Sequence, residues 1–333
     1  MNVVIVKLSS IGDVVHALPV AATLRARLPG ARITWLCERR EAVVLVGHPA
    51  IDEIVVADTR GWRRARGLDA MRAVASGFVA LARQLRSGRF DVALDLQGLL
   101  KSGLLTACTR APLRIGFESS RCRERVNALF TNRRVLPPES ARHVADQYLA
   151  LLEPLGVAGP VREFRLPCDP AAEAAIDDVF SAAGLKPRNR VVVLNPGAAR
   201  ADKRWPVERF RSLGARLATE AGAQVIVVWG PGEASAARAI AGPAGGRVLL
   251  APPTDIHQLI AVLRRASLLV AADTGPLHLA AAIGTPCVGL YGPTRAERNG
   301  PYGSGHRALE GREGRVGAIG VEDVLRAAVE LLG

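Results

Sequence analysis

Two residues able to exchange protons, Asp13 and His16, stand three apart in KLSSIGDVVHALP (residues 7–19), directly after a short β-branched run. The small residues between that run and the following apolar stretch read as a strand, a turn and a helix entrance. A turn of this kind ordinarily holds an anion, because backbone N–H groups and the positive end of the helix dipole point into it. Here an acid occupies the place. The same field keeps Asp13 ionised at neutral pH, whether it is a first-turn acid that favours the helix or a chemical group.

The densest constellation lies in AADTGPLHLAAAIGTPCVGLYGPT (residues 271–294). A strand ends at Asp273, Thr274-Gly275 turns the chain into a helix, and Pro276 fits the first turn, where its missing N–H costs nothing. Thr274 and Gly275 can present hydroxyl and backbone donors to a diphosphate with the helix dipole behind them. An Asp-Thr cap on an ordinary helix would use the same residues. His278, one turn in, is within reach of a ligand or packed in the core. In QVIVVWGPGE, Glu233 stands at a second strand end, where an acid accepts the two hydroxyls of a ribose or is simply solvated. Lys203, in NPGAARADKRWP (residues 195–206), follows a small, flexible loop and can neutralise a pyrophosphate as a point charge. Lys203, Thr274 and helix N–H groups would together stabilise a departing nucleoside diphosphate. No metal is implied, since the chain has no D-x-D pair and no His/Cys cluster with ligand spacing.

These residues fall where apolar runs end, so strands must position them. Strands are expected at 3–7, 32–37, 53–57, 92–96 and 113–116. The helix after Gly12 carries Pro19, which either starts a second helix or kinks a continuous one, and Gly30 ends the segment. Residues 142–155 read as a helix with a stripe of Tyr148, Leu149, Leu151, Leu152 and Leu155. GVAGPVREFRLPCDP then has no periodicity and three prolines, and reads as a link. Beyond it RVVVLNPG, QVIVVWGPGE, RVLLAPP, LLVAADTG and CVGLYGPT each put a strand before a turn. The alternation predicts an α/β protein of two doubly wound, Rossmann-like sheets facing each other, with ligands at the carboxyl ends of their strands. The expected domains are 1–165 and 166–333, with the last helix, 321–332, closing the second or packing back on the first.

A chain of 333 residues suffices for two cores, and 49% hydrophobic with 23% charged residues is a folded composition. No apolar run approaches the roughly 18 residues needed to span a bilayer. MNVVIVKL is too short for a signal-peptide core and lacks a basic leader, so a cytoplasmic protein is expected. The five scattered cysteines contain no C-x-x-C pair, which argues against a disulfide framework and a structural zinc; Cys287 is expected as a buried thiol. The net charge is +13, and all but four of the 44 basic residues are arginines. Such a chain is drawn to polyanions: nucleic acid, anionic lipid or a phosphorylated substrate.

Through SSIGDVVHALP, ADKRWP and DTGPLHLAAAIGTPCVGLYGPT, spaced along almost its whole length, the chain resembles the bacterial lipopolysaccharide heptosyltransferases, glycosyltransferase family 9. The resemblance implies a GT-B architecture with the active site in the cleft between two Rossmann-like domains, the first binding the acceptor and the second the nucleotide sugar. It implies an inverting, metal-independent and cofactor-free transfer of L-glycero-D-manno-heptose from ADP-heptose. SSIGDVVH and TRGWRRAR are most similar to the members that add the first heptose to Kdo2-lipid A. Members that add the second carry Trp where this chain has Ser-Ile before Gly12-Asp13. LNPGAAR and TGPLH follow the general wording of the family.

On this resemblance Asp13 is the general base that takes the proton from the acceptor hydroxyl, and Lys203 is the catalytic cation opposite it. One carboxylate suffices, because ADP leaves without needing a proton. Lys203, Glu233, Asp273, Thr274, Gly275 and His278 would hold the donor. Ser9, Ser10 and Gly12 would meet the acceptor, together with Arg60, Arg63, Arg64 and Arg66 around Trp62, and Arg121. Arginine forks suit the phosphates and carboxylates of Kdo2-lipid A, and Trp62 suits the lipid headgroup level. The expected protein is a monomer, peripheral on the cytoplasmic, anionic face of the inner membrane, with no nucleic-acid partner. The alternatives are a second-heptose or other family 9 acceptor, and a basic nucleotide- or nucleic-acid-binding protein. A dehydrogenase would need G-x-G-x-x-G after the first strand, where this chain has SSIGD. A nucleic-acid binder would share the charge, but the chain has 4% aromatic residues and no aromatic-basic stacking motif.

Overall fold

The apolar runs become strands covered on both faces, which is why they read as continuous rather than alternating hydrophobic segments. The computed structural model describes residues 1–186, 189–241 and 246–333, the side chains of Arg63 and Arg64 excepted. The chain divides into two compact units, Met1–Pro167 and Cys168–Gly333.

In the first unit the elements run β1 (Asn2–Val6), α1 (Ile11–Arg27), β2 (Arg32–Glu38), α2 (Arg39–Ala42), β3 (Glu53–Ala57), α3 (Thr59–Arg64) and α4 (Leu68–Ser87). They continue with β4 (Val92–Asp95), α5 (Leu100–Cys108), β5 (Leu113–Phe117), β6 (Arg133–Val135) and α6 (Val144–Ala150). The six strands are parallel in the order β3-β2-β1-β4-β5-β6. Val4, Val6, Leu36 and Ala93 of the sheet pack with Leu81, Leu85, Phe90 and Leu105 in one core.

The second unit runs α7 (Pro170–Ala182), β7 (Val191–Asn195), α8 (Val207–Glu220), β8 (Gln224–Val227), α9 (Ala234–Ala241), β9 (Val248–Leu250) and α10 (Ile256–Arg265). It ends with β10 (Leu268–Ala272), α11 (Gly275–Ala282), β11 (Cys287–Tyr291), α12 (Ala296–Asn299), β12 (His306–Glu310) and α13 (Val321–Leu332). Its strands are again all parallel, in the order β12-β11-β10-β7-β8-β9. Counted from its own first strand, each sheet therefore has the order 3-2-1-4-5-6. In such a sheet the chain leaves its two middle strands towards opposite faces, and a crevice opens at their carboxyl ends. That place lies between β1 and β4 in the first unit and between β7 and β10 in the second.

Four details depart from or decide the sequence reading. α1 is one continuous helix with Pro19 inside it, so Pro19 starts no second helix. The helix expected over 142–155 is shorter: α6 ends at Ala150, and a 3-10 turn at Glu153–Leu155 follows, with Pro154 near its start. The edge strands β6 and β12 have no counterpart in the reading, because β6 is only RRV and β12, HRALE, is mostly exposed and lacks an apolar run. α13 joins the second core through Val324, Leu325, Ala327 and Ala328, not that of the first unit. Cys287 is buried as expected. Among the described residues, no helix is long and apolar enough to cross a membrane.

Trp205 anchors the loop that carries Lys203. It is 1% exposed, stacks edge-on to Phe210 at 4.9 Å between ring centres, and donates from Nε1 to the Ile319 carbonyl at 3.0 Å. Trp205→Ala should therefore cost about 3–5 kcal/mol. Urea unfolding of the second unit measures this, and an unshifted midpoint would remove Trp205 from the role.

Candidate functional site

At the carboxyl end of β10, Asp273 gathers three side chains from three different segments. Lys203 Nζ lies 2.6 Å from Asp273 Oδ2, Thr294 Oγ1 donates to the same oxygen at 2.7 Å, and His278 Nε2 lies 3.0 Å from Oδ1. Burial works to raise the Asp273 pKa, but His278 and Lys203 overcome it and hold the carboxyl well below the usual range. The site thus carries a permanent carboxylate whose charge orients a cation. Asp273 is spent on partners of its own chain, and its negative charge disfavours direct contact with a diphosphate. Its place beside the expected donor is that of a positioning group.

Thr274 is the N-cap of α11, yet its hydroxyl turns back to donate to the Ala272 carbonyl at 3.0 Å. Asn195, at the end of β7, donates across the switch point to Thr274 Oγ1 at 3.3 Å. With the threonine hydroxyl so engaged, the donors this turn can offer are its backbone N–H groups, Gly275 first. Glu233 closes the turn after β8 by accepting from the Gly230 N–H at 2.8 Å. Its half-buried carboxylate lies over Gly197, where an added Cβ would overlap it.

In the first unit the turn after β1 is held from below and from the side. Gln97, just beyond β4, accepts through Oε1 from Leu8 N–H (3.0 Å) and Ser9 N–H (3.2 Å), while Trp35 Nε1 donates to the Lys7 carbonyl at 3.2 Å. Ser10 is the N-cap of α1 and Asp13 its third residue. Asp13 Oδ2 accepts from the Ser10 N–H at 3.0 Å and from Ser10 Oγ at 2.8 Å. Lys7 Nζ lies 3.8 Å from Asp13 Oδ1, and also donates to Tyr148 Oη (2.7 Å) and the Leu96 carbonyl (3.1 Å). Burial pulls the Lys7 ammonium down, but Tyr148, Asp13 and Asp95 outweigh it and its pKa is raised. A buried, charged lysine under a 41% exposed carboxylate is the arrangement of a supported base. His16 is buried against the His143 ring, at 4.9 Å between centres.

The arginine segment is only partly an offered surface. Arg60 pairs with the buried Glu41 at 2.7 Å, and burial raises the Glu41 pKa in spite of that partner. Trp62 turns inward, edge-on to Phe78 at 5.8 Å and packed on the first core. The indole is half-buried against Phe78 of α4, which leaves only part of it for the lipid surface expected of it. Arg66 and Arg121 are exposed, and the side chains of Arg63 and Arg64 lie outside the described residues. Among the described residues no group of three or more His, Cys, Asp or Glu is placed to hold a metal ion.

The structure thus brings Lys203, Asp273, Thr294 and His278 together, with Asn195, Thr274 and Gly275 at the same switch point and Glu233 at the next strand end. It brings Ser10, Asp13 and Lys7 together at the other. Lys7, Gln97, Tyr148, Asn195, Gly197 and Thr294 are not among the site residues expected from the sequence. Lys7 had a signal: one of four lysines, ending an otherwise apolar strand. Gln97 had one too, at the end of the strand that must neighbour β1 across a switch point. Tyr148 is placed by tertiary packing alone.

Because the folded Asp273 pKa is depressed, the carboxylate stabilises the fold above its ordinary pKa, and that stability is lost as pH falls through the folded value. Asp273→Asn should cost about 1–3 kcal/mol near neutral pH, with the deficit shrinking below about pH 4. Thermal melts of both proteins across that range measure it, and a deficit independent of pH would contradict it.

Comparison with known proteins follows the same lines. The family model for glycosyltransferase family 9 (heptosyltransferase) matches residues 78–317. Lipopolysaccharide heptosyltransferase 1 of Escherichia coli (strain K12) is 30% identical over 312 residues, 91% of this chain and 91% of that protein. The structure of E. coli heptosyltransferase WaaC with ADP superposes with a TM-score of 0.82 at 27% identity, covering 99% of this chain and 100% of that one. WaaC with ADP-2-deoxy-2-fluoro heptose gives 0.81 at 26%, covering 99% of each. The two Rossmann-like units are those of these GT-B heptosyltransferase structures.

Proposed function

The chain belongs to glycosyltransferase family 9, the heptosyltransferases, and from that premise we propose that it is heptosyltransferase I, moving heptose from ADP-heptose onto the first acceptor position of Kdo2-lipid A. The observation that carries the reading is the Asp13 carboxylate, fixed by its own N-cap and backed by buried Lys7 at the switch point of the first sheet. The donor is supported by the ADP and ADP-2-deoxy-2-fluoro heptose of the WaaC structures, and the acceptor by similarity to lipopolysaccharide heptosyltransferase 1.

In this reading Asp13 takes the proton as the acceptor oxygen attacks the anomeric carbon. The bond to the diphosphate breaks on the opposite face, so the configuration inverts. Negative charge builds on the departing ADP and is met by Lys203, the Gly275 N–H and the dipole of α11, in the place a metal would otherwise take. Asp273 holds Lys203 and His278 at that station. Glu233 holds the ribose, while Ser9, Ser10 and Gly12 line the acceptor with Arg63, Arg64, Arg66 and Arg121. The protein works as a monomer, peripheral on the cytoplasmic face of the inner membrane.

ADP release from ADP-heptose, measured with a chelator present, tests the reading directly. Turnover is expected with Kdo2-lipid A and not with an acceptor that already bears one heptose; the reverse would make the enzyme a second-heptose transferase. Asp13→Asn should lower kcat by about 10²–10⁴ while ADP affinity stays within about twofold; a matching loss of ADP binding would contradict the role. Lys203→Ala should weaken ADP binding about tenfold or more and lower the rate as well. A nearby cation favours the charged form of a carboxylate, so Lys7→Met should move the acid limb of kcat/KM to higher pH, with Lys7→Arg restoring part of the shift. An unmoved limb would leave Lys7 a purely structural role.

A further inference from the structure

The first unit leaves aliphatic side chains in water where α5 meets the 3-10 segment Arg125–Phe130. Leu100 and Leu104, one turn apart on α5, are each 41% exposed, and Val126 and Leu129 on the 3-10 segment are 41% and 74% exposed. The joint beneath them is closed. Asn127 Nδ2 donates to the Leu99 carbonyl (2.8 Å), Glu124 Oε2 accepts from the Leu100 N–H (2.5 Å), and Gly103 leaves no room for a Cβ beside Phe130. Ordinary folding would turn leucines into such a joint. Here it is filled already, and four aliphatic groups stand outside it.

The same stretch carries an arginine rim. Arg123 and Arg125 are exposed, and Arg134 lies alongside, donating from Nε to the Ala128 carbonyl at 3.0 Å. The nearby acids serve the fold. Glu124 is taken by Leu100, and Glu118 accepts from Ser120 N–H and Ser119 Oγ, each at 2.8 Å. Aliphatic groups ringed by arginine match an anionic bilayer, where the leucines enter the boundary between headgroups and acyl chains and the guanidinium forks take the phosphates. A nucleic acid would use the arginines and leave the leucines wet.

The position of the patch relates it to the chemistry. Glu124 N–H donates to the Gly98 carbonyl at 3.0 Å, and Gln97, next in the chain, holds the Ser9 turn that leads to Asp13. We propose that this face docks on an anionic bilayer, so that the hydroxyl of a lipid-linked acceptor reaches Asp13 while its acyl chains stay in the membrane. The proposal rests on the lipid-linked acceptor of the reading above.

Sedimentation of the full chain with phosphatidylcholine vesicles, with and without an anionic phospholipid, tests it. The wild type should bind anionic vesicles about tenfold or more tightly than neutral ones, and both Leu104→Gln/Leu129→Gln and Arg123→Glu/Arg125→Glu should lose about tenfold of that binding. Both variants should keep the wild-type melting temperature and full turnover on a water-soluble acceptor stripped of its acyl chains, and lose turnover on acceptor embedded in vesicles. Binding equal for the two vesicle types would overturn the proposal. So would a leucine variant that binds like wild type, which would reduce the attraction to charge alone and favour a polyanion such as RNA. If the wild type binds anionic vesicles as expected but turns over no Kdo2-containing acceptor, the enzymatic reading fails and the docking surface stands.

Discussion

A parallel sheet whose chain leaves two neighbouring strands towards opposite faces must leave a crevice at their carboxyl ends, and everything chemical here depends on that constraint. Both units meet it with the same strand order, and in both a side chain bridges the gap. Gln97 reaches from beyond β4 to the turn after β1, and Asn195 reaches from β7 to the turn after β10. The amides fix the width of each crevice, because a bridging hydrogen bond tolerates only a few tenths of an ångström of movement. Of the candidate residues, Asp13 and His278 are carried on helices that start just outside, Asp273 directly follows a strand, and Lys203 sits on the 3-10 turn Ala201–Lys203.

The two crevices use that common geometry with opposite electrostatics. In the first, a buried cation, Lys7, supports an exposed anion, Asp13. In the second, a nearly buried anion, Asp273, supports a cation, Lys203, that is less buried than its partner. The outer group of each pair is thereby pre-aimed by an opposite charge placed behind it. The helix N-termini add positive field to both, which favours a carboxylate in the first and an anionic ligand in the second.

Much of this could be read from the chain, and the failures have a common physical origin. Strand ends were legible because apolar runs stop abruptly at Asp273, Asn195 and Lys7, and the central strands were placed within a residue or so of where they lie. The edge strands β6 and β12 were not, because both are mostly exposed and need no hydrophobic run. Asp13 was legible as a chemistry-bearing type at a helix entrance, Asp273 as one at a strand end and Lys203 as one after a small loop. The direction in which each side chain turns was not: Trp62 packs inward, and Thr274 bonds back to its own strand. Such choices depend on neighbours distant in sequence, as with Tyr148 beneath Lys7, 141 residues away.

The glycine of NPG shows how tightly two distant turns are matched. Gly197 is bare because the Glu233 carboxylate occupies the space a methyl group would need. The two positions, 36 residues apart, are therefore coupled. A side chain at 197 requires the Glu233 carboxylate to swing aside or shorten, whereas a shorter side chain at 233 meets no such obstacle. The coupling therefore has a direction in evolution: a shortening exchange at 233 comes first and opens position 197, and the reverse order meets the carboxylate.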